Sequence, residues 1–101
     1  MSISPSEKIK VSIEGNIATI VIDNPGANTW DRESLPALRQ VIETLNGEPT
    51  VYALVLTGAG QKFFSAGADL NQFASGDADV ARAVGEAFGE AFETLADFRG
   101  V

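Results

Sequence analysis

Between Val51 and Thr57 the chain reads Val-Tyr-Ala-Leu-Val-Leu-Thr, a nearly continuous apolar run. Nothing in it alternates between polar and apolar, so no face is assigned to solvent, and the run is expected to be a central strand covered on both sides. A strand of that kind needs partners along its edges and helices over its faces, which points to an α/β architecture. The rest of the chain supplies such elements. Two runs rich in β-branched residues, Ile9 to Ile13 and Ile17 to Ile22, flank Gly15-Asn16 and are predicted to form an antiparallel hairpin. Pro25, Gly26 and the asparagines of the 23–29 segment then make a loop.

Leu35, Leu38, Ile42 and Leu45 fall on one face of a helix over about 32–46, with Asp31 as its N-cap. Pro36 would delete a backbone bond in a helix interior, so the regular part is expected to start near Ser34 with Pro36 in the first turn. Phe63-Phe64-Ser65 reads as a short extended piece, Ala66 to Asp69 as a turn into Leu70-Asn71-Gln72-Phe73, and Ala74-Ser75-Gly76 as a loop. A second helix is predicted from about Asp77 to Phe98, with Val80, Val84, Phe88, Ala91, Phe92 and Leu95 on one stripe, stopped at Gly100. Val101 stands where a further strand would begin. Strands followed by a helix occur twice, without a sequence repeat.

At 101 residues the chain is one domain at most, and its 45% hydrophobic content reads as globular. No apolar stretch approaches the ~20 residues needed to cross a bilayer, and residues 1–7 form a polar, flexible start without a signal peptide's hydrophobic core. A cytoplasmic protein is expected. The absence of cysteine and histidine removes disulfides, a thiolate nucleophile, a Ser-His-Asp triad and most zinc sites, and no metal site is expected. A net charge of -7 opposes binding to nucleic acid or to an anionic membrane. An anionic ligand must therefore be met locally, by backbone N–H groups or a few placed cations.

Several local patterns fail the chemistry they suggest. Gly58 and Gly60 follow a strand, but no helix opens after them, and Gly60-Gln61-Lys62-Phe63 lacks the Gly-Lys-Ser/Thr ending of a phosphate-binding loop. They read as turn glycines. Ser65 precedes Ala66-Gly67 like a nucleophile at a sharp turn, yet Phe63 stands where such an elbow has glycine and no histidine exists to activate it. Glu86, Glu90 and Glu93 read as the solvated face of the second helix. The segment Ala66-Gly67-Ala68-Asp69-Leu70 differs: small side chains before a short helix let backbone N–H groups converge on an anionic oxygen without obstruction.

Taken in order, Gly15 to Pro25, Ala27-Asn28-Thr29 before an amphipathic helix, Val51 to Gly60, and Lys62-Phe63-Phe64-Ser65-Ala66-Gly67-Ala68-Asp69-Leu70 resemble the crotonase (enoyl-CoA hydratase/isomerase) superfamily over nearly all of residues 8–98. The resemblance implies the N-terminal part of a spiral of ββα units built around a CoA thioester. It implies that the Ala68 N–H is one of two oxyanion-hole donors to the thioester oxygen. Ala66, Gly67, Asp69 and Leu70 would form the substrate-binding turn, with Ala66 against the CoA moiety and Asp69 orienting the turn through hydrogen bonds, and Ala27 would contact the CoA arm through its backbone. Trp30, where relatives carry a smaller aliphatic residue, is expected in the core.

The resemblance further implies an enoyl-CoA hydratase acting on 2-enoyl-CoA thioesters, with coenzyme A belonging to the substrate and no separate cofactor. The parent is expected to be a homotrimer or hexamer. The second oxyanion donor and the two catalytic glutamates of that family match nothing here and are expected beyond residue 101. Enoyl-CoA isomerisation or another reaction on the same scaffold is the alternative, and a non-catalytic acyl-CoA-binding module is the reading from another class.

Overall fold

The computed structural model describes residues 3–72 and 76–101. Strands β1 (Ile9–Glu14) and β2 (Ile17–Ile22) form the expected hairpin, paired antiparallel from Ile9↔Ile22 to Glu14↔Ile17. Gly15 takes φ +63°, a conformation a side chain would resist, and so closes the two-residue turn. Strand β3 (Ala53–Gly58) runs parallel to β2, in register from Ile17↔Ala53 to Ile22↔Gly58. Parallel pairing requires a crossover, and α1 (Ser34–Asn46) provides it. Helix α2 (Ala78–Ala96) follows β3 after a single 3₁₀ turn at Leu70–Gln72. The loop expected at Ala74 and Ser75, and Phe73 before it, lie outside the described residues.

The core is built from one face of the sheet and one face of α1. Ala18, Ile20 and Ile22 alternate inward along β2, as a strand's period of two demands, and meet Leu35, Leu38, Val41, Ile42 and Leu45, all fully buried. Each large aliphatic side chain so buried stabilises the fold by ~1.5–3 kcal/mol relative to exposure. Helix α2 packs on α1 and the same core through Ala91 and the partly buried Phe88, Phe92 and Leu95, and it also buries Val84. Helix α1 starts at Ser34 with Pro36 in its first turn, where the missing N–H has no intrahelical acceptor to lose. Asp77 caps α2 by accepting from the backbone N–H of Asp79 and Val80.

One expectation is corrected. Within the described residues β3 is not central but stands at the edge of a three-stranded sheet ordered β1-β2-β3. Its outward face is open, with Val55 46% and the neighbouring Ile17 48% exposed. The apolar run is still the signature of a strand with two partners. The Val101 N–H donates to the Tyr52 carbonyl and the Leu54 N–H donates to the Val101 carbonyl, the two-bond pattern of a parallel pairing with Ala53 on the side away from β2. Gly100 fits against Tyr52 there, since an added Cβ would stand 3.0 Å from the Tyr52 carbonyl carbon.

Candidate active site

The candidate site lies beyond the end of the sheet where β2 and β3 finish, and backbone contacts between two loops assemble it. The Trp30 N–H donates to the Gly67 carbonyl (2.7 Å) and the Asp69 N–H donates to the Trp30 carbonyl (2.9 Å), a single parallel bridge between Trp30 and Ala68. Backbone groups alternate sides along an extended strand, so a residue whose two neighbours face Trp30 sends its own N–H the other way. Among the described residues, nothing accepts from the Ala68 N–H. Upstream, the Ala66 N–H donates to the Ala27 carbonyl (2.9 Å), so the 66–69 segment is tied to the 27–30 loop at three points.

Gly67 takes φ +97°, and its N–H donates to Ser65 Oγ (3.0 Å), which gives Ser65 the structural role the sequence suggested. The Asp69 carboxylate accepts from the Asn71 N–H (3.0 Å) and so caps the 3₁₀ turn. An open cleft of about 580 Å³ runs along this segment. Ala66, Ala68, Asp69, Leu70 and Asn71 form one wall, and Asn24, Pro25, Thr29, Asp31 and Lys8 form the other. Leu70 is 78% exposed at its mouth. Of the residues singled out from sequence, Ala66, Ala68, Asp69 and Leu70 therefore share the cleft. Ala27 and Gly67 are not among its lining residues; they support it through the backbone bonds just described.

Three side chains hold the opposite wall, of which the sequence had marked only Asp31, as a helix cap. Asn28 is buried at φ +52°, tolerable for asparagine, and its Nδ2 donates to the carbonyls of Ala59 (2.9 Å) and Phe63 (3.1 Å) while its Oδ1 accepts from the Asn24 N–H. It thereby joins the 24–30 loop to the segment leading into Ser65. Gly58 allows the same segment to fold back: a Cβ there would overlap the carbonyl oxygens of Phe63 and Phe64 and stand 2.8 Å from Phe64 Cα. Loop glycines and asparagines were visible in the sequence, but their long-range partners have no periodic signal.

Asp31 and Lys8 complete that wall. Asp31 is 4% exposed; its Oδ1 accepts from the N–H of Glu33 (3.0 Å) and Ser34 (2.8 Å), and its Oδ2 accepts from Lys8 Nζ (2.6 Å) and Asn24 Nδ2 (3.2 Å). Ser34 returns the contact by accepting from the Asp31 N–H, a reciprocal cap at the start of α1. Burial works against the Asp31 charge, but the Lys8 ammonium and the Ser34 and Glu33 donors outweigh it and hold the carboxyl below its usual range. The hydrogen bond to Asp31 likewise holds the Lys8 ammonium above its ordinary value, against the cost of desolvation. Both oxygens of Asp31 are engaged, so this carboxylate shapes the cleft and is not a free base.

Comparison with known proteins agrees with this geometry. The chain is 59% identical to Pseudomonas aeruginosa DspI, whose solved structure superposes with a TM-score of 0.92 over 95% of this chain and 39% of that one. It is 26% identical to an enoyl-CoA hydratase/carnithine racemase from Magnetospirillum magneticum, with a TM-score of 0.87 over 97% of this chain and 38% of that one. Carnitinyl-CoA dehydratase of Escherichia coli K12 is 37% identical over 73 residues, which are 72% of this chain and 28% of the relative. The chain thus spans well under half the length of these proteins. The profile of the enoyl-CoA hydratase/isomerase family matches residues 12–100, nearly the whole chain. With the mixed sheet, the two helices and the backbone-built cleft in place, the chain belongs to the enoyl-CoA hydratase/isomerase family, as a portion of its crotonase-type α/β fold.

Proposed function

We propose that this chain is the thioester-binding part of an enoyl-CoA hydratase, and that the Ala68 N–H is one donor of its oxyanion hole. The observation that carries the proposal is the N–H of a cleft-lining residue that is unpaired among the described residues and whose neighbours on both sides are bonded to Trp30. Hydration of a 2-enoyl-CoA adds the water oxygen to C3 and a proton to C2. Between the two steps the electron pair of the C=C bond rests on the thioester oxygen as an enolate. A preorganised N–H aimed at that oxygen is stronger in the transition state than against the neutral carbonyl, which is what lowers a barrier. In this reading Ala66 and Leu70 border the CoA thioester, Gly67 and Ala27 hold that wall through their backbone bonds, and Asp69 fixes the turn. The second donor and the acid and base that handle the water come from residues other than these.

The similarity to carnitinyl-CoA dehydratase favours one second reading, the same chemistry run toward loss of water, because dehydration passes through the same enolate. Hydration of crotonyl-CoA, followed by loss of absorbance, and dehydration of carnitinyl-CoA, measured side by side on the full-length protein, separate the two. In that protein Ala68→Pro deletes the donor hydrogen and should lower kcat by ~10²- to 10³-fold, the scale of losing one oxyanion donor. Ala68→Ser keeps the N–H and should cost much less. A folded Ala68→Pro protein with undiminished kcat defeats the proposal, and a protein that binds crotonyl-CoA without turning over any thioester is instead a non-catalytic binder.

A further inference from the structure

We propose that Trp30 is the positioning residue of the oxyanion donor: its backbone aims the Ala68 N–H, and its indole fixes that backbone against α2. This rests on the proposed role of Ala68 and goes beyond it by naming what holds the donor in place. The two hydrogen bonds that flank Ala68 both end on Trp30, one on its N–H and one on its carbonyl. Any shift of the Trp30 backbone is therefore passed to the Gly67–Asp69 segment and changes where the Ala68 N–H points. Among the described residues no regular strand surrounds this bridge, and beyond the Ala66–Ala27 bond no ladder restrains it.

The restraint comes from the side chain. Trp30 is 3% exposed and is not a cleft-lining residue, so its ring points into the core. The indole meets the Phe92 ring edge-on, at a centroid distance of 5.4 Å and an interplanar angle of 89°, and Phe92 stacks on Phe88 at 5.9 Å. Both phenylalanines belong to α2 and pack against the main core. The donor is thus indexed to a long helix through one large ring, and offset or edge-on aromatic pairs add a preferred orientation to plain burial. A smaller aliphatic side chain at position 30 would keep both backbone bonds available but would leave the loop free to settle differently over α2.

The test uses the full-length protein and butyryl-CoA labelled with ¹³C at the thioester carbonyl, a saturated probe that cannot be hydrated. Isotope-edited infrared spectra read the polarisation of that carbonyl when bound, and crotonyl-CoA hydration gives kcat and KM. Wild type should shift the carbonyl stretch to lower wavenumber. Trp30→Ala, and Phe92→Leu, which leaves residues 66–69 untouched, should both lose most of that shift and about 10- to 100-fold in kcat, with KM within about threefold, the pattern of a misaimed donor. Trp30→Phe should recover part of both. Val51→Ala opens the core near the opposite end of β3 and should leave shift and kcat within about twofold of wild type.

If folded Trp30→Ala and Phe92→Leu proteins keep the wild-type shift and kcat, the positioning role is refuted while the role of Ala68 stands. Equal losses in Val51→Ala would refute it as well, because general loosening would then suffice. A wild-type protein that binds the probe without shifting its carbonyl would overturn the oxyanion reading and this inference together.

Discussion

Removing the Asp31 carboxylate should cost about 2–3 kcal/mol of stability at pH 7, and the value follows from three of its four contacts. Two are to the Glu33 and Ser34 backbone N–H groups, and loss of such a cap is worth ~1 kcal/mol. The 2.6 Å contact with Lys8 is a charged hydrogen bond in the class of ~1.5–3 kcal/mol, taken near its lower end because the Lys8 side chain is 31% exposed and can rehydrate. The pH dependence carries a sign. Asp31 is held below its unfolded value, so its contribution is present above a pH of about 4 and is lost as pH falls through the folded value. Lys8 is held above its ordinary value, so its share is intact below a pH of about 10 and is lost as pH rises through the raised folded value. Urea denaturation of wild type and Asp31→Ala at low micromolar concentration, followed by far-ultraviolet circular dichroism, measures the gap. Asp31→Asn keeps an acceptor for the cap and should recover part of it without the acid dependence. A gap below ~0.5 kcal/mol at pH 7, or one undiminished at pH 2, would refute the account of Asp31 as a charged cap.

Two further outcomes concern glycines, where the same substitution should act in opposite directions. Gly58→Ala forces a Cβ into the carbonyls of Phe63 and Phe64 and should destabilise by roughly 2 kcal/mol or more in the same denaturation assay, with the 63–70 segment becoming more accessible to protease. Gly85→Ala and Gly89→Ala lie within α2 with nothing near the added methyl, and each should raise stability by about 0.5–1 kcal/mol, read as a higher denaturation midpoint at unchanged slope.

The elements that were legible are those whose signal is local. The hairpin followed from β-branched runs around Gly15, and the start of α1 from the conflict between Pro36 and a helix interior. The start of α2 near Asp77 followed from its apolar stripe. The resemblance to the family brought Ala66, Ala68, Asp69 and Leu70 together before any geometry was available, and they do share one cleft. What stayed hidden was long-range and non-periodic. The Trp30–Ala68 bridge joins single residues of two loops, the Asn28 amide reaches carbonyls more than thirty positions away, and the Lys8–Asp31 pair spans a strand, a hairpin and a loop. None of these leaves a pattern along the chain, because a backbone carbonyl accepts whatever side chain it belongs to. The edge position and open outward face of β3 among the described residues have a related cause: an apolar run marks a strand, but not which segments pair with it or cover it.

The Ala68 N–H, for which the described residues supply no acceptor, has a consequence for how such a site can change over evolutionary time. A donor that belongs to the peptide group survives every substitution at its own position except proline. Side chains along 66–70 can therefore be exchanged to widen, narrow or recolour the cleft while the backbone N–H stays in place. The vulnerable positions lie elsewhere, at the residues whose backbone or ring keeps that peptide group at its angle. On the proposed function, the residues that shape the cleft and those that aim the donor stand at different addresses in the sequence, so selection can act on the first with little disturbance of the second.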